Sequence, residues 1–346
     1  MSDSKGIVGL TNIGNTCYGN ASLQALRHQV DLTIYMLQGK HLDSIKRKKN
    51  SEKLVLLESY GKLVKSLWMG EGGTVATREF WGAMIPAAMK EGFDQFRIPI
   101  PHDAHEFLLF IIDQLHEALA DEVIMTIHAP HGNSPKIKDA KGALSFWKST
   151  FENKYSPIVE LLAGLIRKSV ICQGCNSESV TWETFHMNSV SVPKVGAETD
   201  SIIDLMRNEC KGETIDEYAC DTCKPKRHPA TVVRAYWRLG NWVIVTLKRN
   251  ENNGRKINRM IHVPKTICFG DVFHPNSEET SVNASYELFA TVNHHGNSNG
   301  GHYTSYAKHA VSGKWALYDD ESGVEVPDVI INSSTYIVMY RKETSQ

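Results

Sequence analysis

Two short cysteine pairs constrain this chain more than any other feature. Cys172 and Cys175 form one C-x-x-C unit, and Cys220 and Cys223 form another. Each unit puts two thiols on one tight turn. Two such knuckles supply four thiolates to one ion, which closes a tetrahedral site with no open coordination position. A site of that kind is structural: it ties β-ribbons together and leaves no place for a substrate. The competing reading is two unrelated pairs of free thiols. Two C-x-x-C units in one chain favour a single structural Zn2+ ion. The stretch from Cys175 to Cys220 is longer than in a minimal zinc ribbon, so two or more strands must fill it. Cys210 and Cys268 read as buried or surface thiols, not ligands. Seven cysteines, an odd number, do not make a complete disulfide framework.

The apolar periodicity changes along the chain. The first third is helical. "CYGNASLQALRHQ", from Cys17 to Gln29, places Ala21, Gln24, Ala25 and His28 on one side. "SEKLVLLESYGKLVKSLW" repeats Leu57, Tyr60, Val64 and Leu67 at helical spacing after a Ser51 N-cap. A third helix follows Thr77, and Pro86 is expected to bend or end it. The fourth carries Ala104, Phe107, Leu108, Ile111, Leu115 and Leu119 on one stripe, with Asp103 and Glu106 at capping-box positions. Residues 126–156 lose periodicity and read as a loop or poorly ordered insertion. Beyond them the chain turns to strands, from "KSVIC" to "TYIVMYRK", rich in β-branched and aromatic residues. Helices first and strands afterwards predict an α+β fold.

At 346 residues and 41% hydrophobic content, the chain can bury a sizeable core in one large domain or two ordinary ones. A net charge of -1 gives no reason to expect nucleic acid or a membrane surface as partner. That balance also weighs against reading the knuckles as a zinc finger that binds nucleic acid. "MSDSKGIVGL" lacks an apolar signal region, and the strongest apolar run, Phe107 to Ile112, is too short to span a bilayer. An intracellular protein, cytoplasmic or nuclear, is expected. "KRKK", Lys46 to Lys49, reads as a solvated loop ahead of an import signal.

Cys17 stands in a polar stretch, "TNIGNTCYGN", just before a helix. Unsatisfied N–H groups at a helix start lower a thiol's pKa and favour thiolate. Gly14 and Gly19 leave room for a substrate, and Asn12, Asn15 and the Cys17 N–H are candidate oxyanion donors. A capped helix start after a Gly-Asn turn has the same look. A thiol nucleophile needs a base, and His302 follows the glycine loop "GNSNGG" at the head of a strand. It is otherwise a surface histidine on a turn. The base needs an orienting carboxylate, which Asp319 or Asp320 supplies if the next strand pairs with that of His302. Both are otherwise turn formers. The order Cys–His–Asp is that of papain-like thiol hydrolases.

"GLTNIGNTCYGNASLQ" resembles the cysteine box of the ubiquitin-specific proteases, the papain-like deubiquitinating enzymes. "NHHGNSNGGHYTSY" with "KWALYDDESGVE" resembles their histidine box, and "HDAHEFL" their Q-Q-D-A-x-E-F-L element. The elements occur in the family's order from residue 9 onward. The resemblance implies one catalytic domain over residues 1–346, with thumb (about 1–160), zinc-binding fingers (161–240) and palm (241–346). It implies Cys17 as nucleophile, His302 as general base, Asp319 as its orienter with Asp320 assisting, and Asn12 in the oxyanion hole. Asp103 and Glu106 match positions that contact the ubiquitin tail, and both are equally helix caps. Gly300 and Gly301 suit a channel that admits only a Gly-Gly terminus. The substrates implied are ubiquitin and ubiquitinated proteins, with an activating or targeting protein partner possible. A ubiquitin-like modifier remains open, as does a non-catalytic ubiquitin-binding scaffold of the same fold. Pro101 and His102 replace the usual glutamines, Ala21 a common serine, and Asn250 a phenylalanine. None of these removes a catalytic group.

Overall fold

Among the described residues, the helical periodicity of the first half becomes eight α-helices. A computed structural model describes residues 6–69, 73–128, 131–194, 200–250, 254–281, 285–297 and 300–343. The helices are α1 (Cys17–Leu26), α2 (Val30–Leu37), α3 (His41–Arg47), α4 (Glu52–Met69), α5 (Arg78–Lys90), α6 (Ala104–Leu119), α7 (Pro135–Phe151) and α8 (Pro157–Leu162). A short parallel pair, β1 (Gly9–Leu10) and β2 (Thr74–Val75), pins the segment ahead of α1. The expected stripe of α6 is buried along its length, and Asp103 caps it by accepting from the His105 and Glu106 N–H groups.

The second half forms two sheets. The smaller is antiparallel, in the order β4 (Glu178–Phe185), β3 (Gly164–Cys172), β7 (His228–Arg238), β6 (Glu213–Tyr218). The larger has eight strands. Its path is β13 (Ser322–Val326), β12 (Trp315–Asp319), β11 (Gly300–Lys308), β10 (Ser285–Asn297), β14 (Thr335–Lys342), β8 (Trp242–Lys248) and β5 (Asn188–Ser191). β9 (Thr266–Cys268) also pairs with β10. The helix α9 (Ile202–Glu209) packs beside β5.

Both faces of the large sheet are covered. Along β14, Ile337 and Met339 join the core shared with the helices, while Val338 and Tyr340 join a second core behind the sheet. Alternation of side chains across a strand dictates that split. β8 does the same, which is why "WVIVTL" is a continuous apolar run rather than an alternating one. The first core brings α1 and α6 against β10 and β11, and so carries the cysteine box to the histidine box.

Four expectations need correction. Residues 135–151 are not a loop but α7, begun by a Ser134 cap with Pro135 in its first turn. Few of its residues are buried, so the apolar stripe is thin. It is held by Asp139, which meets the buried Arg167 of β3 at 3.0 Å, and by Trp147 under the Arg238 guanidinium. Of the two outcomes expected at Pro86, a bend or an end, the end is the one corrected: α5 continues to Lys90. Gly82, four residues earlier, is solvent-exposed, so its carbonyl can turn to water. The "KRKK" run is not a free loop either: Lys46 and Arg47 end α3, and Lys48 donates to the carbonyls of Ala118 and Ala120 at the end of α6. Finally, the helix starting at Cys17 stops at Leu26 rather than Gln29, and Gln29 instead caps α2.

Candidate active site and metal centre

Each knuckle cysteine lies where a strand turns. Cys172 ends β3, Cys175 precedes β4, and Cys220 and Cys223 sit in the turn from β6 to β7. The Sγ atoms of Cys172 and Cys223 are 3.9 Å apart, those of Cys175 and Cys220 3.6 Å, and all four lie within 4.8 Å of one another. Tetrahedral zinc with bonds of ~2.3 Å needs sulfurs ~3.8 Å apart. The four thiols therefore fit the ion. The Ser177 hydroxyl lies 3.1 Å from the sulfurs of both Cys175 and Cys220 and draws their pKa values down, Cys220 to about 6. Cys223 is pushed up to about 12, first by its contact with Cys175. Four crowded thiols share protons that a metal would displace. Between the knuckles the chain contains β4, β5, α9 and β6, so a helix joins the strands expected there.

His302 heads β11 and Asp319 ends β12, and these two strands pair. His302 Nε2 lies 2.6 Å from Asp319 Oδ1. A carboxylate only accepts, so Nε2 carries the proton and Nδ1 is the free basic nitrogen. The pair faces solvent, with side-chain exposures of 43% and 50%. So exposed a contact adds little stability; what it contributes is orientation of the ring.

Cys17 opens α1, as expected, but its environment differs. Its neighbour Tyr18 is wedged among Trp81, Phe96, His102 and Phe107. The thiol is only 4% exposed. Burial pushes its pKa above the ordinary value, and the Asp320 charge adds to that. The N–H groups of Tyr303, Tyr18 and Cys17 itself pull the other way without prevailing. The helix start does favour thiolate; desolvation outweighs it. Among the described residues no hydrogen bond joins Cys17 to His302.

Asn12 is engaged. Its Nδ2 donates to Asp320 Oδ2 at 2.8 Å, and its Oδ1 accepts from the N–H groups of Gly14 and Thr16 and from the Thr16 hydroxyl. Its backbone N–H donates to Glu321 Oε1. Asn15 is turned away and donates to the Pro99 carbonyl. Asp320 also accepts from Asn20 Nδ2 at 2.8 Å, and its carbonyl accepts from the Leu10 N–H. The turn after β12 thus grips the cysteine box. Asn20 and Glu321 escaped the sequence reading. Asn20 was visible as a polar residue one turn beyond Cys17, but nothing local tied it to residue 320.

The substrate-side residues are placed as follows. Tyr336 donates to both Asp103 oxygens, and Glu106 accepts from Gln95, so no reciprocal capping box forms. Gly300 faces open space, whereas a Cβ on Gly301 would lie 2.2 Å from the His295 carbonyl. Residues 298 and 299 of the glycine loop fall outside the described residues. Gly14 is open, but Gly19 is small for a different reason than substrate access: a Cβ there would sit 2.6 Å from the Trp81 ring.

Comparison with known proteins gives one family. Residues 8–340 match the model of the family described as ubiquitin carboxyl-terminal hydrolase (UCH). Ubiquitin carboxyl-terminal hydrolase 2 of Bos taurus is 28% identical, over 97% of this chain and 55% of its own length. Ubiquitin carboxyl-terminal hydrolase Usp2 of Drosophila melanogaster is 28% identical over 98% of this chain and 35% of its own length. The chain thus spans about half or less of these curated relatives. The solved SAGA Ubp8/Sgf11/Sus1/Sgf73 DUB module bound to ubiquitin aldehyde contains a similar fold, with a TM-score of 0.73, 20% identity, and coverage of 100% of this chain and 71% of that chain. The α+β architecture expected from the sequence is the one observed.

Proposed function

This chain belongs to the ubiquitin carboxyl-terminal hydrolase family, and from that premise we propose that it is a thiol-dependent deubiquitinase. It cleaves the isopeptide or peptide bond after the C-terminal glycine of ubiquitin. The observation that carries this reading is the His302–Asp319 pair, at 2.6 Å, on strands packed against the helix that Cys17 opens.

The chemistry follows from the tautomer. Nδ1 of His302 takes the Cys17 proton, and the sulfur attacks the glycine carbonyl carbon. The oxyanion is met by the Cys17 N–H and the Asn12 side-chain amide. Collapse breaks the C–N bond, the proton on Nδ1 passes to the leaving lysine amine, and a thioester remains. Water then gives a proton to Nδ1 and attacks the thioester, the C–S bond breaks, and the Nδ1 proton returns to the leaving sulfur. Asp319 stabilises the imidazolium at both stages, and Asp320 assists by holding Asn12 in place before the attack. Two rearrangements precede reaction: the thiol must meet Nδ1, and the Asn12 amide must release Asp320. Binding of ubiquitin, or of a protein partner, supplies them.

Asp103 and Glu106 would meet the basic tail of ubiquitin, sharing it with Tyr336 and Gln95. Gly300 and Gly301 would line the path of its Gly-Gly end. Cys172, Cys175, Cys220 and Cys223 would hold one structural Zn2+, which cross-links the far end of the small sheet and takes no part in the reaction. Residues 1–160 would serve as thumb and 241–346 as palm; of the residues expected as fingers, 161–240, the small sheet keeps that part, while β5 and α9 go with the large sheet and so with the palm. Ubiquitinated proteins are the substrates, and the cytoplasm or nucleus is the place of action. Among the described residues no helix is long and apolar enough to cross a membrane.

The buried thiol with no bond to His302 favours a second reading, a ubiquitin-binding scaffold without activity. Ubiquitin carrying a C-terminal thiol-reactive group separates the two. A covalent adduct that is lost in Cys17→Ala is expected. Folded protein that binds ubiquitin without forming the adduct, even when a partner is supplied, would establish the scaffold instead.

A further inference from the structure

Resting on that reading of Cys17, His302 and Asp319, we propose that Asn20 is a positioning residue for the reaction, acting through Asp320 on the Asn12 side chain without touching substrate.

Asn20 lies on α1, one turn beyond the nucleophile, and is 1% exposed. Its Nδ2 donates to Asp320 Oδ1 at 2.8 Å and approaches the carbonyls of Leu10 and Thr11 at 3.4 and 3.3 Å. All three neighbours are acceptors, so the amide has one sensible orientation. That orientation leaves Asn20 Oδ1 buried without a donor. A buried acceptor with no partner is a cost that an aliphatic side chain would avoid. Helix packing alone therefore does not account for asparagine here; the bond to Asp320 does.

Asp320 is the junction. One oxygen takes the Asn20 amide and the other takes the Asn12 amide. Asn12 in turn organises Gly14 and Thr16, the residues that lead into Cys17. Asp320 also holds a left-handed backbone, φ 44°, which a non-glycine residue adopts only when its surroundings impose it. When the Asn12 amide turns to an oxyanion, Asp320 loses one donor. Asn20 then keeps the carboxylate in place, so that it neither follows Asn12 nor moves toward the thiolate it would repel. That work is done in the transition state, so its loss falls on kcat and spares KM.

The test uses the full chain and ubiquitin bearing a C-terminal fluorogenic amide. Asn20→Ala is expected to lower kcat ten- to a hundredfold with KM within threefold of wild type. In an Asp320→Ala background the same change should cost less than threefold, because the residue it acts through is gone. An Asn20→Ala enzyme with kcat within threefold of wild type would overturn the inference. So would an equal loss in both backgrounds. If Asn20→Ala does not fold, Asn20→Ser, which fits the space but cannot reach Asp320, is judged by the same criteria. Wild type with no Cys17-dependent turnover overturns the functional reading, and this inference with it. Active wild type with an indifferent Asn20 overturns the inference alone.

Discussion

At the scale of single residues, the thiol is governed by two opposed effects. The helix start and nearby N–H groups favour thiolate; burial and the Asp320 charge oppose it, and the net shift is upward. Free protein should therefore be slow to alkylate at neutral pH. With iodoacetamide, the labelling rate of Cys17, taken as the difference from Cys17→Ser, should rise through a higher pH than that of an unstructured cysteine peptide. A rate profile centred below that of the peptide would show a preformed thiolate. The polar setting of Cys17 made it the candidate nucleophile, but its burial was not legible there. The Tyr18 ring is held by Trp81, Phe96 and Phe107, which come from three other segments. His302 and Asp319 were legible because the pairing of their two strands follows from short local runs. The engagement of Asp320 with Asn12 and Asn20 was not.

At the scale of elements, the metal-binding knuckles and α7 behave differently. The knuckles join β3, β4, β6 and β7 at the end of a four-stranded sheet with many exposed side chains. A sheet this thin has little apolar area of its own to bury, so the ion should contribute much of its stability. Removal of zinc by a strong chelator should lower the melting temperature and weaken ubiquitin binding, while His302 and Asp319 stay paired. An unchanged melting curve after verified zinc loss would rule out a structural metal. The clustering of the four cysteines was readable from spacing alone, because a C-x-x-C turn is a local geometry. The α7 helix was not. Its anchors, Asp139 on Arg167 and Trp147 under Arg238, belong to strands that come later in the chain. Local periodicity carries no record of them.

At the scale of the whole molecule, the protein folds around a set of neutral histidines. Burial holds His28, His41, His105, His116, His274, His294 and His295 below the ordinary imidazole value, His294 at about 4. In the unfolded chain they take protons from about pH 6.5 downward. The unfolded state then binds more protons than the folded one, so stability falls as pH drops. For His294 that window runs from about 6.5 to about 4. The melting temperature should decline measurably from pH 7 to pH 5, above the range in which the paired carboxylates titrate. A flat profile across that interval would mean that these imidazoles already share their protons with the folded state.

The sequence by itself determined the order of helices and strands, the four clustered cysteines, and the candidates for nucleophile, base and orienter. Each rests on a periodicity, a spacing or a motif a few residues long. Only the tertiary structure decided whether those groups are free to act. Asn20 and Asp320 are 300 residues apart, Asn12 and Asp320 are 308, and both amides close on one carboxylate. A hydrogen-bonding group spends its capacity on whatever packing brings within reach, and packing is a property of the assembled core. That is why residues named by local pattern proved, in place, to be a buried thiol, an occupied amide and a carboxylate shared between two amides.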